Sequence, residues 1–278
     1  MRLDFTTVDQ LCASVDQTEN PAFIDLSAVD WIEAFALVYL AMFIRLRYQQ
    51  GLNVRIQMPK NRKVQRHLQR QNFFERMFLK PSDGSPVPER LLSTTSIGDL
   101  VGIVATPELA DETARHVKGV LLNNNVEVDA AAVELLVAEL VDNFVQHAEP
   151  FTPAGVHRIG AFVMQLYPRK RRVSLGIADC GIGIRASLSS NPAYSHLADA
   201  SHSLAAVEAL KQGVTRRTSG SGGTGFTEVQ DTIRDLRGTI SLATGDGYVI
   251  LSGSRQRYGQ MAYDLNGVQI QADIPCGS

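Results

Sequence analysis

Between Ala34 and Ile44 the chain passes through 11 apolar residues without a break, AFALVYLAMFI. A membrane-spanning helix needs about 20 such residues, so this run predicts a helix buried in a protein core. It lies within WIEAFALVYLAMFIRLRYQQG, read as one helix stopped by Gly51. On either side PAFIDLSAV and NVRIQMP read as strands, and RKVQRHLQRQNFFERM follows as a second, basic helix. Strand, helix, strand, helix with short joints predicts a parallel βαβ unit with a right-handed crossover. Gln and Leu interleave the basic run from Lys60 to Arg70 at helical spacing, which describes a solvated helix face better than a nucleic-acid arm.

Residues 81–98, rich in Pro, Ser and Gly, predict a linker to a second region. The length of 278 residues accommodates two domains. A formal net charge of −2 makes no electrostatic case for nucleic acid or an anionic membrane as partner. Cys12, Cys180 and Cys276 lack C-x-x-C spacing and a histidine at ligand distance, which argues against a zinc site or a disulfide framework. With no basic start and apolar run at MRLDFTTVDQ, the expectation is a soluble cytoplasmic protein.

Three constellations in the second region carry chemistry. The amphipathic segment DAAAVELLVAELVDNFVQHA predicts a long helix with Asp129 as N-cap and Val133, Leu136, Val137, Leu140 and Phe144 as its apolar stripe. Glu139, Asn143 and His147 lie at i, i+4 and i+8 on one face. A carboxylate and an amide one turn apart can hold a hydrated Mg²⁺ and accept a proton from an attacking water. Taken alone, the same spacing also describes a solvated face.

Next, RIGAFVMQLY and RRVSLGIAD alternate as paired strands, the second running into Asp179, Gly181 and Gly183. A carboxylate at a strand end can accept a hydrogen bond from an exocyclic amino group such as that of adenine. The glycines let the backbone approach a flat base. An ordinary glycine turn is the alternative.

The third is TSGSGGTGFTEV, residues 218–229, which spells G-x-G-x-x-G through Gly220, Gly222 and Gly225. A dinucleotide turn needs an apolar strand before it, and LKQGVTRRTS is not one. A P-loop needs lysine where Phe226 stands. What survives is a set of glycine N–H groups leading into a helix N-terminus, a favourable place for phosphate oxygens. Strands TISLAT, GYVILSG and GVQIQADIP complete an α+β sandwich.

In this order, E-x-x-x-N on a helix, D-x-G-x-G after a strand, and a glycine-rich opening to a helix, residues 99–278 resemble the GHKL or Bergerat-fold ATPases. That superfamily includes DNA gyrase, heat-shock chaperone ATPases, mismatch-repair ATPases, histidine kinases and anti-sigma-factor serine kinases. The resemblance implies ATP and Mg²⁺ as cofactors. By position it makes Glu139 the catalytic acidic residue, Asn143 the metal ligand, and Asp179 the adenine reader with Gly181 and Gly183 in its turn. Gly223, Thr224, Gly225 and Phe226 would then meet the phosphates, and Lys211, Arg216 or Arg217 on a lid could reach the γ-phosphate. Where many members carry Gly-Thr on a late strand, this chain has Gly267 and Val268, without the hydroxyl.

Residues 1–80, through FIDLSAVDWIEAFALVYL…LNVRIQMP, resemble STAS domains of sulfate transporters and anti-sigma-factor antagonists. Regulatory members place a phosphorylatable serine after an acidic residue; here Ala34 follows Glu33. No phosphoacceptor histidine in a fitting context, no membrane segment and no following transducer domain are evident. The two resemblances therefore imply a cytoplasmic regulator of the anti-sigma type, either a serine kinase or slow ATPase acting on a protein partner, or a non-catalytic nucleotide sensor or scaffold. A homodimer is compatible with both.

Overall fold

The computed structural model describes residues 1–86, 96–99, 107–147, 160–211 and 225–277. Its described residues form a mixed α/β protein with three sheets. The first region contains β1 (Arg2–Leu3), α1 (Val8–Ser14), β2 (Ala22–Asp25), β3 (Trp31–Ile32), α2 (Ala34–Gln49), β4 (Val54–Gln57), α3 (Arg62–Arg70), α4 (Phe73–Arg76) and β5 (Lys80–Pro81). Strands β2, β4 and β5 pair in parallel, and β1 pairs in parallel with β3. The expected parallel βαβ unit is present as β2–α2–β4.

In the first region β2 ends at Asp25, short of the expected PAFIDLSAV, and two further boundaries differ from the periodicity reading. Trp31 and Ile32 belong to β3 rather than to the helix, because β1 offers a ladder that a two-residue extension of α2 would forfeit. The basic helix is broken after Arg70, where Asn72 adopts φ +53 and starts α4 in a new direction. Gly51 follows α2 with φ +77, the left-handed stop its residue type suggested.

The second region contains β6 (Ser96–Asp99), α5 (Pro107–Asn123), α6 (Ala130–His147), β7 (Gly160–Tyr167), β8 (Arg172–Asp179), α7 (Gly183–Ser189), α8 (His202–Ala209), α9 (Gly225–Asp235), β9 (Thr239–Ser252) and β10 (Arg255–Pro275). Its sheet runs β6-β7-β8-β10-β9, every neighbour antiparallel. Asp129 caps α6 as expected, its Oδ1 accepting from the N–H groups of Ala131 and Ala132 at 3.0 Å. Helix α5, which the sequence reading did not single out, packs along α6. TISLAT and GYVILSG are one continuous strand, β9; Gly245 bends it with φ +57 instead of ending it. GVQIQADIP is the last part of the long β10.

Helix α2 is covered on every side. Each residue from Ala34 to Ile44 is buried, and the helix packs on β7, β8 and β10 as well as on α1 and β4. Its core therefore includes Ala161, Val163, Ala178 and Ala243 from the second region's sheet. Packing is continuous between the two regions. The opposite face of the same sheet presents Phe162, Met164, Leu175, Ile177 and Leu242 to a second core beneath α5, α6 and α9.

Candidate functional site

Asp179 ends β8, and the pleat buries it to 7% exposure. Its Oδ1 accepts hydrogen bonds from the N–H of Gly181 at 2.7 Å and of Val268 at 3.3 Å. Burial pushes its carboxyl up to about 7, although both N–H donors favour the charged form. The backbone of β10 approaches so closely that a Cβ on Gly267 would stand 2.1 Å from the Asp179 carbonyl oxygen. Gly267 also holds φ +91, so only glycine suits this crossing.

Gly183 opens α7 with φ +75, beside the Thr244 hydroxyl. That hydroxyl donates to the Gly267 carbonyl at 2.9 Å and accepts from the Ile184 N–H at 3.1 Å. Thr244 is the ladder partner of Val268, so a hydroxyl stands across the strand from the position where the sequence lacks one. Gln269, fully buried, donates from Nε2 to the carbonyls of Asp179 at 3.4 Å and Asn266 at 3.0 Å. Thr244 and Gln269 escaped the sequence reading because strand pairing, not spacing, brings them to Asp179.

Glu139 and Asn143 lie one turn apart on α6, whose apolar stripe seats the helix on the sheet. Phe144, next to Asn143, packs against Gly160, where a Cβ would be 2.4 Å from the ring. Gly160 is the ladder partner of Asp179. The C-terminal half of α6 is thereby pinned to the end of the sheet that carries Asp179. Helix α9 packs on α6 and brings up Thr227 and Glu228 from its first turn.

Burial, followed by the charge and hydrogen bond of Glu228, raises the Glu139 carboxyl above the usual range; Asp142 adds to this. Asn143 Nδ2 and Thr227 Oγ1 are both buried without a hydrogen-bond partner. Buried polar groups are ordinarily paired. Among the described residues Arg45, Arg47, Gln71, Arg172 and Gln269 also carry an unpaired buried atom. Asn143 and Thr227 are the two that lie on the packed helices α6 and α9, a place able to take an additional polar ligand. Two carboxylates whose charges repel each other, Glu139 and Glu228, favour a cation.

Gly225 starts α9 and Phe226 packs beneath it on the second core. Gly223 and Thr224 lie outside the described residues, as do Arg216 and Arg217, and the side chain of His147 is likewise not described. Lys211 is described: it is largely exposed, with its ammonium 2.5 Å from Glu208. Among the described residues no three His, Cys, Asp or Glu side chains cluster as a metal site. Nor is any described helix long and apolar enough to cross a membrane. No protein-family model matches the chain, and no curated protein matches it.

Proposed function

We propose that the chain is a Mg²⁺·ATP-binding regulatory protein of the GHKL type, with an N-terminal STAS-like region, acting on a protein partner. The observation that carries this reading is the pair of orphaned buried groups, Asn143 Nδ2 and Thr227 Oγ1, on helices docked at the Asp179 end of the sheet. In this reading the Asp179 carboxylate accepts from the exocyclic amino group of adenine. The N–H groups of Gly181 and Val268 hold the acceptor in place. The phosphates lie toward the N-terminus of α9, because the first-turn N–H groups of a helix favour negative charge.

Asn143 would hold Mg²⁺ through its side-chain oxygen, phosphate and water supplying the remaining ligands. Bound with the nucleotide, Mg²⁺ neutralises phosphate charge and polarises the γ-phosphoryl group. Glu139, raised above the usual carboxylate range by burial and the neighbouring Glu228 charge, suits a general base. It takes the proton as the oxygen of a water or a serine bonds to the γ-phosphorus. The bond from phosphorus to the β–γ bridging oxygen breaks, and its electron pair leaves on ADP.

A non-catalytic sensor is the second reading, favoured by the neighbouring charge of Glu228, which acts on the would-be base. Calorimetric titration with ATP, with and without Mg²⁺, tests the binding reading: Asp179→Asn abolishes the heat of binding. Free phosphate and phosphoprotein are then scored for wild type and Glu139→Gln. Product from wild type alone supports catalysis. Equal yields from the two, with binding intact, support the sensor.

A further inference from the structure

A cleft of 350 Å³ lies between α3, β3 and the end of β7, away from Asp179. That volume falls at the lower end of small-molecule sites, about 300–1,000 Å³. One wall is the face of α3 that carries Lys63, Arg66, His67 and Arg70, spaced i, i+3, i+4 and i+7. Lys63, Arg66 and Arg70 are exposed, and none forms an ion pair among the described residues. Helix α3 contains no acidic residue. In a chain of nearly balanced charge, this is a local cationic excess.

The other wall is aromatic. Trp31 and Tyr167 stand with ring centroids 5.6 Å apart and planes tilted by 37°. Lys170 places its ammonium 4.9 Å from the Trp31 ring and pairs with Glu33 at 3.8 Å. Trp31 keeps 39% of its surface exposed. The floor is polar and neutral: Tyr167 donates to Gln165 Oε1, and Gln165 Nε2 lies 2.6 Å from His67 Nε2. Burial pushes the His67 imidazole down to about 4, so it offers hydrogen bonding rather than charge. Asp30, the acid on the rim, is paired with the N-terminal ammonium at 3.0 Å.

We propose that this cleft is a second ligand site that binds a nucleoside monophosphate, its phosphate between Arg66, Arg70 and Lys63 and its base against Trp31. Guanidinium forks match phosphate oxygens in geometry. A half-exposed indole offers a stacking face to any base. Walls from both regions of the chain meet here, so occupancy bridges α3 to β7. The site is independent of the ATP-binding reading.

Trp31 is the chain's single tryptophan, so its fluorescence reports on this cleft directly. The full chain is titrated with adenosine and guanosine 5′-monophosphate, with equilibrium dialysis as the parallel measurement. Saturable binding is expected with at least one of them. Arg66→Ala and Arg70→Ala each weaken it by about tenfold, and the Trp31 signal with guanosine 5′-monophosphate is unchanged by Asp179→Asn. Adenosine, guanosine or inorganic phosphate alone binds more weakly by about the same factor. The proposal is overturned if dialysis detects no binding at millimolar nucleotide, or if the arginine variants bind as wild type. It is equally overturned if Asp179→Asn removes the Trp31 signal with guanosine 5′-monophosphate. Tighter binding of oligoadenylate or polyglutamate than of the mononucleotide reassigns the cleft to nucleic acid or an acidic segment, and also overturns it.

Discussion

The two faces of the five-stranded sheet are built on opposite plans. Toward α2 the strands present Ala161, Gly176, Ala178 and Ala243, small residues that let a helix without a polar side come close. Toward α6 they present Phe162, Met164, Leu175 and Ile177, which hold the helices higher. The first interface is dominated by apolar contact, and several of its polar groups are paired, although Arg172 Nε and Gln269 Oε1 are buried there without a partner. Gln271 accepts from the Phe35 N–H at 3.1 Å, capping α2, and Glu33 receives Arg2 and Arg172. On the second, Asn143 and Thr227 are left without partners. One face is packed mainly by small and apolar residues against α2, and the other carries larger side chains beneath α5, α6 and α9.

The largest effect is expected on the α2 face. Phe35→Ala removes a fully buried ring at the junction of both regions, and should lower unfolding free energy by about 3–5 kcal/mol in urea titration. A smaller loss would show that α2 can resettle, and that the two faces differ less than their packing indicates.

Gly176→Ala should cost about 1–3 kcal/mol by overpacking. Its new Cβ would lie 2.8 Å from the Ala34 carbonyl and 2.9 Å from Val163. Gly119→Ala, facing open space on α5, is the control and should stabilise by up to about 1 kcal/mol.

At the candidate site the expected sign reverses. Asp179 has its folded value raised to about 7, whereas the unfolded carboxyl titrates near the usual 3.8. Between these values the folded chain binds a proton that the unfolded chain lacks, so stability falls as pH rises through the window. Asp179→Asn should therefore stabilise by about 1–2 kcal/mol at pH 8, with the gain gone at pH 4. Urea titrations at the two pH values measure it, and a pH-independent difference would refute the assignment. Glu139→Gln should give the smallest change, a gain of about 0.5 kcal/mol from relief of its repulsion with Glu228.

Much of this was legible in local pattern. The apolar run Ala34–Ile44 implied a buried helix, Asp129 implied a cap, and Gly51 a stop. Each rests on interactions within a few residues, and each is present in the structure. The candidate site was legible as residue types: Glu139 and Asn143 one turn apart, and Asp179 ahead of glycines. Their grouping depends on contacts far apart in the chain. Phe144 on Gly160 and Gly160 beside Asp179 connect residues that spacing alone leaves separate.

Sequence by itself determined the main helices and strands, because propensity, capping and periodicity act over a few residues, while pairing with β1 decided that Trp31 and Ile32 are strand. It also supplied the chemistry available at each position. Only tertiary structure decided that α2 is shared by both regions, since an all-apolar helix reveals that it is buried but not against what. Strand register decided that Thr244 faces Val268 and that Gly267 crosses Asp179. Docking of α9 on α6 decided which polar groups remain unpaired, because a hydrogen bond is gained or lost only where two surfaces meet.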